Sequence, residues 1–288
     1  MKLIAVRFVI LMTLGLLTAE AHAQAAGKWV KLAPFPEPAE ELFGVAAGGK
    51  MYVMGGLAPG WKPRGLVYEY DPAADKWTKK KPMALSSHHV AVTELNGKIY
   101  AFGGFVPPQS GPPAWLPIDN VWEYDPAEDS WKALAPMPTK RGSPVAAVVG
   151  GKIYVIGGRT GAAFISVATN TNIVEEYDPA SDSWGASKAR MPSARSAVAS
   201  GTYRDRIYIA GGEFQDDSMM AAFRALEAYQ PPTNSWAILP RMPVPRHGLA
   251  GGVVGNRLHL VSGEVQSAGI EGMHLQSDSH DAFEFADR

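Results

Sequence analysis

The chain has 288 residues, a formal net charge of −1 at pH 7 and no cysteine. Near-neutrality leaves no electrostatic footprint for nucleic acid or an anionic membrane. The missing thiols exclude disulfides, thiolate nucleophiles and cysteine-ligated metals, so packed side chains alone have to hold the fold.

The first residues read as a targeting segment. Lys2 and Arg7 give a positive start, Phe8 to Leu17 is an apolar run, and Ala21-His22-Ala23 is a small-residue cleavage site. This is the pattern of a secretory signal peptide over residues 1–23. The run is too short to span a bilayer, and the mature chain shows no other segment of spanning length. The expectation is a periplasmic or secreted protein whose single domain occupies residues 24–288.

Next comes "GKWVKLAPFP", which reads as a lone strand around Trp29. A phrase then repeats to the carboxyl end. A short strand closes on a glycine pair in "KMYVMGG", "KIYAFGG", "KIYVIGG" and "RIYIAGG", with "RLHLVSG" as a fifth, altered copy. Each is preceded by a turn signal and an apolar stretch such as "SPVAAVV", so two strands, a and b, are predicted in each unit. Then "EYDP" or its variants mark a third strand, c. A Trp seven residues after the Tyr marks a fourth, d: Tyr70 to Trp77, Tyr124 to Trp131, Tyr177 to Trp184, Tyr229 to Trp236. The Trp-to-glycine spacing is 26 or 27 residues throughout, so only the b–c segment varies.

A repeated unit with a glycine pair, Tyr-Asp-Pro and Trp at these places resembles the Kelch repeat of β-propellers. The resemblance covers residues 28–288 and implies an all-β, five-bladed Kelch-type propeller with four antiparallel strands per blade. Trp29 lies 26 residues before Gly55, the offset of the other Trp residues. The last unit has strands a, b and c but no d. The amino-terminal strand is therefore expected to complete the last blade and close the ring.

In such a meander the a–b and c–d turns share one face, and the b–c and d–a connections share the other. The b–c segments 57–65, 105–120, 159–172, 213–225 and 264–280 all differ, so the working surface is placed there. Trp61 and Trp115 fall outside the Trp register. Exposed on proline-stiffened loops, they would suit sugar rings or a protein partner; packed down, they would cap small cores of their own loops. The d–a connections add His88, His89, Arg141, Arg195, Arg246 and His247. These form either a ring of donors for a ligand or recurring structural pairs with the strand-c acids Glu69, Glu123, Glu176 and Glu284.

Glu213 and Glu264 each follow the strand-b glycine directly, as Leu57, Phe105 and Arg159 do elsewhere. Facing carboxylates suit acid–base work, and this placement is similar to that of exported Kelch sialate mutarotases. Galactose-oxidase-like enzymes also share the blade repeat, but their crosslinked Tyr–Cys copper site has no Cys here. No motif asks for a metal or another cofactor. His259 stands at the strand-b place of Tyr52, Tyr100, Tyr154 and Tyr208 and reads as a core substitution, and "HLQSDSHD" (274–281) reads as a solvated loop. The expected function is a recognition module that binds a protein or glycan on the loop-rich face. The alternative is a sugar mutarotase or epimerase using Glu213, Glu264, Arg195 or Arg246.

Overall fold

A computed structural model describes residues 29–59, 62–111, 114–162, 169–215, 220–266 and 275–285. The signal segment and Trp61 lie outside them. In the described residues the fold is all β, with a single-turn 3-10 helix at Pro231–Thr233 and no helix long and apolar enough to cross a membrane.

The chain opens with β1 (Trp29–Lys31). Blade one follows as β2 (Glu40–Ala47), β3 (Lys50–Ala58), β4 (Lys62–Asp71) and β5 (Lys76–Lys79). Blade two is β6 (Ala91–Leu95), β7 (Lys98–Phe102), the short pair β8 (Phe105–Val106) and β9 (Leu116–Pro117), then β10 (Val121–Asp125) and β11 (Ser130–Leu134). Blade three is β12 (Val145–Val149), β13 (Lys152–Ile156), β14 (Val174–Asp178) and β15 (Ser183–Trp184). Blade four is β16 (Ala199–Tyr203), β17 (Arg206–Ala210), the pair β18 (Glu213–Gln215) and β19 (Met220–Ala222), then β20 (Leu226–Gln230) and β21 (Ser235–Leu239). Blade five is β22 (Ala250–Val254), β23 (Arg257–Val261) and β24 (His280–Glu284).

Each blade is a four-stranded antiparallel sheet, and β1 is the fourth strand of the last, in the order β22-β23-β24-β1. Trp29 sits opposite Phe283, the same register as Tyr70 opposite Trp77 and Tyr124 opposite Trp131. The ring therefore closes with its first strand hydrogen-bonded beside its last.

The repeated phrase has a physical cause at each position. The Tyr ring packs on its Trp, with centroids 4.8 to 5.0 Å apart in four blades. Its hydroxyl donates to the residue five places on: Tyr70 to Asp75 (2.5 Å), Tyr124 to Asp129 (2.6 Å), Tyr177 to Asp182, Tyr229 to Asn234 (2.6 Å). All four acceptors are left-handed, with φ between 47° and 49°, a region that Asp and Asn tolerate better than most side chains. Three of them also accept a backbone N–H from the preceding blade: Ala33 to Asp75, Ala135 to Asp182, Ala189 to Asn234. One carboxylate or amide thus fixes the turn and fastens two blades. Asp182→Asn is expected to change stability by less than about 1 kcal/mol, because Asn234 already fills that place. Asp182→Ala, which loses two hydrogen bonds and forces Ala into the left-handed region, is expected to cost about 2–3 kcal/mol in urea denaturation.

The glycine pair answers to the same joint. Gly211 has φ 67°, and a Cβ there would lie 2.4 Å from the Arg246 carbonyl oxygen of the next blade. The following glycine then donates its N–H to that carbonyl, Gly212 to Arg246 at 2.9 Å. In the altered fifth copy Ser262 takes the first place, and its hydroxyl lies 2.8 Å from the Ser277 carbonyl of its own blade and 3.3 Å from the Ala39 carbonyl of the next.

Two expectations about the b–c segments change. In blade one β3 and β4 stay paired past their bulge between Gly55 and Leu57, as far as Ala58 opposite Lys62, so most of 57–65 is strand. Blades two and four extend as the β8–β9 and β18–β19 pairs. His280, read as part of a solvated loop, is fully buried and begins β24, because pairing with Val261 draws it into the sheet.

Candidate functional site

The innermost strands β2, β6, β12, β16 and β22 crowd the axis, which a five-bladed ring leaves narrow. Small residues permit this: a Cβ on Gly251 would lie 2.7 Å from Ala199 Cβ, and one on Gly44 would lie 2.7 Å from the Gly251 nitrogen. Between these strands a cavity of about 530 Å³ is lined by residues that include Thr93, Glu94, Asn96, Ser200, Thr202 and Gly252. Asn96 belongs to an a–b turn, so this cavity reaches the turn-bearing face.

The loop-bearing face is built differently. Ser143 N–H donates to His89 O (2.6 Å), Ala197 N–H to Ser143 O (3.4 Å), Gly248 N–H to Ala197 O (2.9 Å) and Leu42 N–H to Gly248 O (2.9 Å). Peptide groups set in a circle around the axis thus bridge four of the five blade junctions. His89, Ser143, Ala197 and Gly248 all have φ between 53° and 59°, the left-handed turn that aims each peptide at the next blade.

Around this circle stand the five residues that leave strand b. Leu57 and Phe105 form an apolar cluster with Trp115. Arg159, Glu213 and Glu264 supply charge. Arg159 ion-pairs with Glu213 and donates from Nε to Ser196 Oγ (3.1 Å), and Asn170 Nδ2 donates to the same hydroxyl (3.0 Å) and to Glu213 O (3.2 Å). His247 lies between the two carboxylates, its Nε2 3.7 Å from Glu213 Oε2 and 3.7 Å from Glu264 Oε2. Glu213, His247 and Glu264 are buried. The two glutamates singled out by position thus converge on one imidazole. Arg159 joins them as a residue the sequence reading passed over, although it shares their place after the glycine pair.

The arginines of the d–a connections are turned inward. Arg141, Arg195 and Arg246 are fully buried and pair with Glu175, Glu227 (2.6 Å) and Asp281 (2.8 Å) of their own blades. Each also donates to the carbonyl of the first residue of the glycine pair, Arg195 to Gly211 O at 2.7 Å and Arg246 to Ser262 O at 3.1 Å. Burial pulls each guanidinium down from its ordinary value, and the carboxylate opposes it for all three. The expected partners Glu69, Glu123, Glu176 and Glu284 are corrected. Three of these side chains face the other side of the sheet, where Glu69, Glu123 and Glu176 accept from Tyr52, Tyr100 and Tyr154, and Glu284 accepts from Arg257 at 3.0 Å.

His88 and His89 are buried as well, their Nδ1 atoms hydrogen-bonded to each other. Burial pushes both far below the usual histidine range, His89 further through the Arg159 charge while Glu213 opposes, so both rings are neutral at pH 7. Of the two readings of Trp115, exposed platform or cap of its loop's own core, the packed one holds. It is 8% exposed and meets the His88 ring edge-on at 4.2 Å, because β8–β9 folds its loop back over Phe105.

Comparison with known proteins agrees with this architecture. The chain is 28% identical over 247 residues to the Kelch-like protein terF of Aspergillus terreus, covering 80% of this chain and 50% of that one. It is 30% identical over 170 residues to the N-acetylneuraminate epimerase of Haemophilus influenzae, covering 47% of this chain and 44% of that one. This chain thus spans half or less of the length of these curated relatives. Among solved structures, that of YjhT superposes with a TM-score of 0.59 at 21% identity, covering 84% of this chain and 76% of that one, a likeness of fold. The family model of the KLHDC2/KLHL20/DRC7 Kelch-repeats domain matches residues 44–263. With the blade count, the closure and the reason for each repeated residue in place, the chain belongs to the Kelch-repeat propeller family.

Proposed function

We propose that the propeller is a recognition module that takes a protein partner on the face carrying the b–c connections. One observation carries this reading: His88, His89, Arg141, Arg195, Arg246 and His247 of the d–a connections are spent inside the fold, while the b–c connections above them differ in every blade. A surface of that kind recognises through its variable segments on a rigid support. A glycan is the other ligand class of the same surface, and export through the amino-terminal segment is part of the proposal. The test is capture from an extract of the native compartment on the immobilised propeller, beside a variant whose residues 106–117 are replaced by a short Gly-Ser connection. Capture of a discrete protein by the parent and its loss in the variant is the expected result. Equal capture by both would remove the loop face as the binding surface.

A second reading rests on a specific geometry, His247 held between Glu213 and Glu264 beside Arg159, and on the epimerase relative. Carboxylates and an imidazole so grouped are suited to moving a proton at an anomeric hydroxyl. Anomer exchange of N-acetylneuraminate, followed by NMR, distinguishes the two readings. Acceleration abolished by Glu264→Gln would favour the isomerase; a rate equal to buffer would leave recognition.

A further inference from the structure

The blade that closes the ring carries two histidines where the other blades have none. His259 holds the place of Tyr52, Tyr100, Tyr154 and Tyr208. His280, opposite Val261, holds the place of Val67, Val121, Val174 and Leu226, each opposite the residue just before its blade's glycine pair, as Val261 precedes Ser262-Gly263. Both rings are buried, and His259 Nδ1 lies 2.9 Å from His280 Nε2. His280 Nδ1 lies 3.1 Å from Ala33 O, and Leu32 N–H donates to His280 O at 3.0 Å. Ala33 N–H in turn donates to Asp75 Oδ1 at 3.1 Å. His280 therefore grips the end of β1, the one outer strand not joined to its neighbour by a c–d turn.

The proton inventory follows from the partners. A carbonyl only accepts, so His280 Nδ1 carries the hydrogen that meets Ala33 O. Its Nε2 is then the acceptor for Nδ1–H of His259. A first added proton enters at His259 Nε2 and leaves every bond in place. A second, on His280 Nε2, sets the N–H groups of two buried cations head to head, so the rings part, and the swing of the His280 ring carries its Nδ1–H off Ala33 O. Burial, the largest cause, holds His259 down at about 4 and His280 below its usual range. Charges of both signs stand around the pair: the His280 charge opposes protonation at His259, Arg257 and Arg246 also oppose it, Asp75 and Asp281 favour it, the Ala33 carbonyl favours it at His280, and Tyr70 and Trp77 pack as rings at 5.0 and 6.0 Å from His280.

We propose that His259 and His280 form an acid-operated latch that frees β1 and opens the ring when both rings take up a proton. The sign is fixed by linkage: both groups bind protons more readily when released, so opening grows as pH falls below about 6.5, the value of a free imidazole. Two protons linked to one opening step raise its equilibrium constant up to about 100-fold per pH unit.

Hydrogen exchange read by mass spectrometry, corrected for the intrinsic rate at each pH between 7 and 4, tests this. Residues 29–33 of the parent should lose protection as pH falls, while β12–β14 and β16–β17 keep theirs. The double variant His259→Tyr/His280→Val, which restores the residues of the other blades, should keep residues 29–33 protected to pH 4. Loss of protection in all blades together, or the same pH profile in parent and variant, would overturn the latch. So would a slope of about 10-fold per pH unit or less in the parent, since one proton leaves the pair bonded.

Discussion

A chain lacking residues 29–33 is expected to lose its sharp thermal transition or to melt at least about 10 °C below the parent, and to self-associate. Without β1, β24 becomes an open edge and Asp75 loses the Ala33 N–H that ties blade one to blade five. The ladder bonds of β1 and the contacts of Leu32 and Ala33 sum to several hydrogen bonds at about 1 kcal/mol each. About 5 kcal/mol is a third or more of the stability of an ordinary domain, and for this size each kcal/mol moves the melting point by about 2–4 °C. Self-association follows from the new edge, an unpaired row of N–H and C=O groups. Calorimetry with sedimentation checks both parts. A truncated chain that stays monomeric and melts with the parent would mean that β1 does not bear the closure.

The second large effect concerns a single buried ion pair. Arg195→Met is expected to cost about 3–5 kcal/mol, because Glu227 is left buried without its counter-charge and the Gly211 carbonyl loses its donor. The double change Arg195→Met/Glu227→Leu removes both charges and should recover most of the loss, since an apolar pair of similar size replaces an ion pair at little net cost. Urea denaturation of the two variants and the parent decides it. Equal loss in single and double variants would show that the guanidinium acts through its carbonyl bond alone. The chain itself suggests that the exchange is tolerated. Where blades three, four and five have Arg141/Glu175, Arg195/Glu227 and Arg246/Asp281, blade two has Ser87 and Trp122, and blade one has Ala39 and Tyr68. Blades one and two thus keep a small and an aromatic residue at the two places, with no Arg–carboxylate pair between them.

That internal covariation also explains which parts of the molecule were readable. The Tyr-to-Trp spacing and the glycine pair are legible because each copy answers the same joint, so recurrence marks necessity. The closure was legible for the same reason: Trp29 keeps the offset even though its strand is far from its blade in sequence. The arginine partners were not. Glu175 and Glu176 are adjacent, and a strand sends adjacent side chains to opposite faces; the recurring glutamate of the Tyr-Asp-Pro phrase drew attention to the wrong one. Trp115 stays open in the sequence between an exposed and a packed reading, because burial of a loop aromatic depends on where the loop folds back, which spacing does not encode. His280 was misread because a single histidine beside Asp and Ser looks polar until its pairing with Val261 is known. Arg159 was overlooked because Arg, Glu and Leu at one repeat position look unrelated until the axis brings them together.

The circle of peptide bonds through His89, Ser143, Ala197 and Gly248 has an architectural consequence. On the loop side main chain bridges four of the five blade junctions, and the hollow of about 530 Å³ lies toward the turns. The bridges are made of backbone, so substitutions in the long connections above them can accumulate without altering the hollow below. The two ends of the axis are thereby free to acquire separate chemistries.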